Sequence, residues 1–204
     1  FLKSIVKKIY SAILETKDVI KSEFPVLSDD LPKEIKFIHS EELEELYPEL
    51  SEKERETAIA KKYGAVFLMG IGHPLKSGLP HDVRAADYDD WITETIEGKR
   101  GLNGDILVWD SIRKDVLELS SMGIRVAAES LSAQLKHMGL EDRKSLSFHK
   151  AILEEKLPLT IGGGIGQSRI CMFLLEKAHI GEVQASVWSE EISKEFAARK
   201  VPLL

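Results

Sequence analysis

A single cysteine, Cys171, stands in 204 residues, so no disulfide framework exists and a reducing, cytoplasmic setting is expected. No run of 18 apolar residues could cross a membrane as a helix, and no signal-peptide pattern is found. Basic residues are in deficit. The 28 Lys and Arg against 34 Asp and Glu leave a formal charge of -6, which argues against a large nucleic-acid surface. Familiar phosphate loops are missing too: no Gly-Lys-Ser/Thr follows the glycines at 162–166, and neither register there satisfies G-x-G-x-x-G, because Gln167 and Arg169 stand where the last glycine is needed. The six histidines show no metal-ligand spacing and read as surface or hydrogen-bonding residues. At 43% hydrophobic, the chain is able to bury the core of one domain.

What the chain has instead is a glycine strand. Gly162, Gly163, Gly164 and Gly166 run directly into an apolar, helix-like stretch that carries Arg169 in its first turn. Glycine inside a strand weakens it and marks close approach by a ligand or another backbone. The rest reads as alternating helices and strands. An opening helix ends before Pro25; a short strand covers 34–39; Ser51 and Glu54 form a capping box ahead of a helix closed by Gly64; and 65–69 is a continuous apolar strand. The acidic runs at 41–45 and 51–56 read as solvated helix faces. An irregular stretch from Gly70 to Gly104, rich in Gly, Pro, Asp and His, is long enough to be functional. Strands at 105–109 and 116–120 and helices near 130–138 and 148–154 complete the pattern. The chain opens at Phe1 inside an amphipathic repeat (Leu2, Ile5, Val6, Ile9), so further sequence is expected to precede it. Trp91, Trp109 and Trp188 read as packing residues.

The two strands after the long loop yield the sharpest inference. Ile106, Val108, Leu117 and Leu119 share one buried face by alternation, which leaves Asp105 and Glu118 on the other. If residues 110–113 form the hairpin loop, Asp105 lies directly opposite Glu118, where Cβ atoms sit roughly 4.5–5.5 Å apart and like charges destabilise. A magnesium ion held by the two carboxylates would relieve this. So would neutralisation by Arg113 or Lys114, or exposure of one of the pair.

The residues around that pair, residues 118–125, with 104–109 before them and 162–169 after, resemble the C-terminal half of a class II aminoacyl-tRNA-synthetase catalytic core. More closely, the phrases at 64–68, 81–85, 87–91, 101–105 and 160–169 resemble the ammonia-dependent asparagine synthetase (aspartate–ammonia ligase) family over the span from about Phe37 to Leu204. The resemblance implies an α/β (α+β) fold with a mainly antiparallel sheet flanked by helices. Residues 1–204 would be one catalytic domain, the C-terminal part of a longer homodimeric enzyme whose class II motifs 1 and 2 lie upstream. It implies aspartate, ATP and ammonia as substrates, an aspartyl-adenylate intermediate, Mg2+ as cofactor, and neither nucleic acid nor membrane as partner.

Roles follow residue by residue from the same resemblance. Arg169 would lie over the adenine as a planar cation. Asp105 and Glu118 would hold magnesium on the phosphates. Arg125 would grip the substrate side-chain carboxylate, where a guanidinium fork suits a planar anion, and shares the catalytic part with Glu118. Arg84 and Asp89 would take the α-carboxylate and α-ammonium. Leu119, Ser120, Gly163 and Gly164 belong to the nucleotide's surroundings, and Ser121, Gly162 and Gly164 to the substrate's. Cys171, read as lying on an apolar helix face, would be inert, which disfavours glutamine as the nitrogen donor. The alternatives are an aspartyl- or asparaginyl-tRNA synthetase core, which would need a tRNA-reading domain not offered after Arg169, and a non-catalytic paralogue of the same fold. In a regular strand Arg125 has the opposite parity to Glu118, so a β-bulge is expected between Ser121 and Ile124, with Gly123 as its natural seat.

Overall fold

The computed structural model describes residues 1–28 and 31–204. Helix α1 (Leu2–Glu23) buries Val6, Tyr10, Ile13 and Lys17 at helical spacing and stops ahead of Pro25. Strand β1 (Lys36–His39) leads into α2 (Ser40–Leu46), α3 (Glu52–Tyr63) and β2 (Ala65–Met69). The Ser51–Glu54 capping box forms, and Gly64, at φ 76°, closes α3 with its N–H on the Ala60 carbonyl. Beyond the irregular segment come β3 (Asn103–Asp110), β4 (Asp115–Ile124), α4 (Ala128–His137), α5 (Ser147–Leu153), β5 (Ile161–Ile165), α6 (Gln167–Leu174) and α7 (Glu190–Ala198).

The strands form one sheet in the order β1-β2-β3-β4-β5, parallel between β1 and β2 and antiparallel elsewhere, as the mainly antiparallel expectation required. Side-chain alternation divides it into two faces. One carries Phe67, Ile106, Val108, Leu117 and Met122 against α1 and α6. The other carries Val66, Leu68 and Leu107 against α2 and α3. That second face is uncovered toward β4 and β5, where the segment between β2 and β3 crosses instead. A third apolar cluster, Ala86, Val126, Leu131 and Leu135, ties that segment to α4.

Several expectations are corrected here. The hairpin loop begins one residue later, because Asp110 pairs with Asp115 and its Oδ1 accepts from the N–H groups of Ile112 and Arg113, with Lys114 at φ 57° completing the turn. Leu107 then faces Glu118, and the register shifts between Ile106 and Leu107, so that Ile106 faces Ser120 and Asp105 faces Ser121. Asp105 and Glu118 are diagonal neighbours on one face, not directly opposed.

The phase change demanded by Arg125 is real, but it occurs at Leu119. Leu119 and Ser120 both turn toward the α1 side, and every later residue of β4 is switched. Gly123 sits in regular register between Asn103 and Gly162. It is glycine for another reason: a Cβ there would stand 2.8 Å from the Asp89 carboxylate.

The acidic runs are not simply solvated. Glu44, Arg55 and Glu56 are buried, because Glu56 receives His81 Nε2 at 3.0 Å and Lys53 Nζ at 2.8 Å, while Arg55 Nε donates to the Tyr47 carbonyl. Hydrogen bonds from His81 and Lys53 outweigh burial and hold the Glu56 carboxyl below its usual range. Cys171 is exposed, since α6 buries Met172, Phe173 and Leu174 and turns the thiol outward. Trp91 is a packing residue, buried with its Nε1 on the Ala85 carbonyl. No helix among the described residues is long and apolar enough to cross a membrane.

Candidate active site

The uncovered part of the second face is floored by strand residues with little or no side chain. Ser121 pairs with Gly164 and Gly123 with Gly162, and all four point into the same cleft as Asp105 and Glu118. Each glycine has a separate reason. A Cβ on Gly162 would lie 2.5 Å from Arg125 Nη2, and one on Gly123 would strike Asp89, whereas one on Gly164 would meet nothing within 4 Å. Packing therefore accounts for two of these glycines. It does not account for Gly164.

Two arginines stand over this floor, each matched with an acid. Arg84 Nη2 is 2.5 Å from Asp105 Oδ2, and its Nη1 is 2.8 Å from Asp82 Oδ2. Arg125 Nη1 hydrogen-bonds to Asp89 Oδ1, and its guanidinium lies under the Tyr88 ring, 3.8 Å from the centroid. Tyr88 falls within the matched phrase at 87–91 but was given no role there, because an exposed aromatic in an irregular segment carries no periodic signal. Asp89 and Arg125 also bridge through their backbones, and the Val126 N–H donates to the Tyr88 carbonyl. The crossing segment is thus strapped to the end of β4.

The acids are electrostatically strained. Burial pushes the Asp105 carboxyl up to about 6, against the pull of the Arg84 cation, and Glu118 adds to the rise. Burial likewise raises Asp89 despite its contact with Arg125. Asp105 Oδ1 is buried without a hydrogen-bond partner. Such an oxygen beside a second carboxylate suits a hard cation. No cluster of three or more His, Cys, Asp or Glu suited to a metal occurs among the described residues. Neither Arg113 nor Lys114 neutralises the pair. Arg84 and Arg169 do so instead.

Arg169, in the first turn of α6, donates from Nη1 to the Glu118 carbonyl at 3.1 Å and lies 3.5 Å from Glu118 Oε1. Both side chains remain accessible, at 47% and 39%. They line a cleft of about 560 Å³ with Lys53, Glu56, Asp115 and His179. Arg125 borders a second space of about 300 Å³ with Tyr88, Phe148 and Thr160. The glycine floor lies between these two ends.

The remaining sequence candidates divide by face. Leu119 and Ser120 are buried on the α1 side, and Gly163 faces Met122, whose Cβ would be 2.6 Å from an added methyl. Their side chains point away from the cleft, and only their backbone could meet a nucleotide. The bulge is the cause for Ser120, and ordinary strand alternation for Leu119 and Gly163. Asp87 pairs outward with Arg143 and His149 at 3.0 and 2.9 Å, and Asp90 caps the turn through the N–H groups of Ile92 and Thr93.

Comparison with known proteins places this geometry. A family model described as aspartate-ammonia ligase matches residues 1–200. Aspartate–ammonia ligases from Parabacteroides distasonis and Bacteroides fragilis are 53% and 52% identical to the chain over all 204 residues. The chain spans 59% of the length of each of these curated relatives. Among solved structures, an asparaginyl-tRNA synthetase from Pyrococcus horikoshii aligns with a TM-score of 0.61 at 17% identity, over 88% of this chain and 43% of its own. An Entamoeba histolytica asparaginyl-tRNA synthetase in complex with asparaginyl-adenylate aligns at 0.60 and 15%, over 88% and 43%. The fold is that of the class II synthetase catalytic cores.

Proposed function

The chain belongs to the aspartate–ammonia ligase family, and from that premise we propose that it carries the substrate-binding half of an ATP-dependent ligase that amidates L-aspartate with ammonia. A substrate carboxylate oxygen attacks the α-phosphorus of ATP and pyrophosphate leaves; ammonia then attacks the acyl carbon of the aspartyl-adenylate, and AMP departs with the mixed-anhydride oxygen. The observation that carries this reading is the pair of arginines over a glycine floor with Asp89 between them. Aspartate offers two carboxylates and one ammonium. Arg84, Arg125 and Asp89 are the complementary set, and a guanidinium fork selects planar anions.

Further support comes from the layout along β4. Glu118 and Arg125 lie about six strand rises apart once the bulge is discounted, roughly 20 Å, enough to lay an aminoacyl-adenylate along the floor. The nucleotide end belongs to Arg169, whose exposed, planar guanidinium is anchored on Glu118 and free to cover a base. Asp105 and Glu118 would hold Mg2+, which neutralises phosphate charge when bound. Arg125 and Arg84 orient the nucleophilic carboxylate, and the buried setting strengthens their grip. A cytoplasmic homodimer is the proposed context, supported by the single cysteine and the class II fold.

The deciding assay supplies aspartate and MgATP with either ammonium or tRNA. AMP release that requires ammonium and yields asparagine is the expected result; AMP release that requires tRNA would replace this reading with the synthetase one.

Two substitutions probe the floor and the nucleotide end. Gly164→Ala has room for its methyl, so unfolding stability should change by no more than about 0.5 kcal/mol. Substrate or nucleotide binding should nonetheless weaken severalfold, because the methyl occupies the ligand's side of the floor. Full affinity in calorimetry would mean that nothing lies there. Arg169→Lys keeps the charge and loses the planar stack, so ATP affinity should fall by about 0.5–2 kcal/mol while aspartate affinity holds.

A further inference from the structure

Gln134 of α4 is completely buried beside Leu131, Leu135, Ala86 and Val126, a setting that a methionine of similar volume would fill without any polar group. Its amide is fully committed to another part of the chain. Oε1 accepts the Trp91 N–H at 2.8 Å, and Nε2 donates to the Ala86 carbonyl at 2.9 Å and the Asp89 carbonyl at 3.1 Å. These partners fix its orientation, since only the oxygen can serve an N–H and only the NH2 can serve two carbonyls. All three bonds go to one six-residue turn, 86–91. The end of β4 satisfies the Tyr88 carbonyl and the Asp90 N–H, and the glutamine takes the Ala86 and Asp89 carbonyls and the Trp91 backbone N–H, so it serves as the template on which the rest of the turn closes.

Everything the turn presents to the cleft is held by that closure. Asp89 is bonded through its carbonyl to Gln134 and through its carboxylate to Arg125. Tyr88, one residue earlier, covers the Arg125 guanidinium, and the Asp90 N–H donates to the Ile124 carbonyl at 2.9 Å. We propose that Gln134 is a positioning residue for substrate recognition: by closing the 86–91 turn it sets where Asp89 and Tyr88 meet Arg125, and hence how well the site grips the substrate's carboxylate and ammonium. The proposal rests on the aspartate-binding reading above. Gln134 touches no substrate, and the nucleotide end, at Arg169 and Glu118, lies on other elements.

The test compares Gln134→Met with Leu135→Ala in the complete protein. Both change the same buried cluster, but only the first removes the three bonds to the turn. Gln134→Met should raise KM for aspartate by about tenfold or more, since small misplacements of binding groups are costly, with KM for MgATP unchanged within twofold. Leu135→Ala, at a similar loss of Tm, should move the two constants together. Gln134→Glu keeps the acceptor for Trp91 but cannot donate to both carbonyls, so an aspartate-selective defect is expected there as well, and it serves if the methionine variant fails to fold. Equal changes in both KM values, or an unchanged KM for aspartate, would overturn the assignment. If the parent protein binds no aspartate, the substrate reading fails by itself. The positioning role is then judged by hydrogen exchange: faster exchange across 86–91 in Gln134→Met than in Leu135→Ala supports it, and equal exchange overturns it.

Discussion

Replacing Arg125 by alanine is expected to lower kcat/KM for aspartate by about 10²–10³, or about 3–4 kcal/mol, while the dissociation constant for MgATP stays within a few-fold of the parent. Two losses combine. The substrate forfeits a charge-assisted fork, and Asp89, already raised by burial, is left in a low-dielectric site without its cation. Arg125→Lys should recover only part of the loss, because an ammonium neither makes the bidentate contact nor stacks under Tyr88 as a plane. Steady-state kinetics with each substrate varied in turn provides the measurement. A variant that loses ATP affinity instead of aspartate affinity would remove Arg125 from the carboxylate end.

The second large effect concerns stability. Asp105→Asn is expected to unfold at higher denaturant than the parent at pH 8 and at nearly the same denaturant near pH 4. Burial places the Asp105 pKa at about 6 instead of 3.8, so the folded state holds this proton more tightly than the unfolded chain does. Stability from this group is therefore lost as pH rises through that window and does not return above it. The two-unit difference corresponds to about 3 kcal/mol, with asparagine lacking the titration altogether. Urea unfolding of both proteins from pH 4 to 8 measures the gap. A gap that does not widen with pH would show that the carboxylate is not held at a cost. The same variant should lose Mg2+-dependent turnover, a result that would place Asp105 among residues kept for chemistry at the expense of the fold.

Much of this layout was legible in the chain because the signals were local. Ser51 with Glu54, Gly64, Pro25 and the apolar run at 65–69 mark element ends and one strand by rules that act within a few residues, and each holds. Parity alone was enough to demand a phase change between Glu118 and Arg125. It could not say where, because a bulge is set by cross-strand packing. Gly123 is the more permissive residue, but its missing side chain was needed by Asp89, which lies 34 positions away in sequence. The same long-range dependence hid Tyr88 over Arg125, the burial of Glu56 against His81, and Gln134 beneath the 86–91 turn. The exposure of Cys171 was misread for the opposite reason: in an eight-residue helix whose last five residues, 170–174, are all apolar, periodicity does not choose a face.

The bulge at Leu119 also governs how this stretch can change over time. Leu119 and Ser120 both turn inward, the Ser120 hydroxyl without a hydrogen-bond partner, and from Ser121 onward inside and outside alternate in the new phase. A single deletion or insertion between Ser120 and Met122 would exchange the two sides, sending Met122 into the cleft and the Arg125 guanidinium toward the apolar layer under α1. A change of length here disturbs both faces at once, whereas a substitution disturbs only its own side. The interval from Glu118 to Arg125 therefore works as a ruler that fixes how far apart the two ends of the cleft stand.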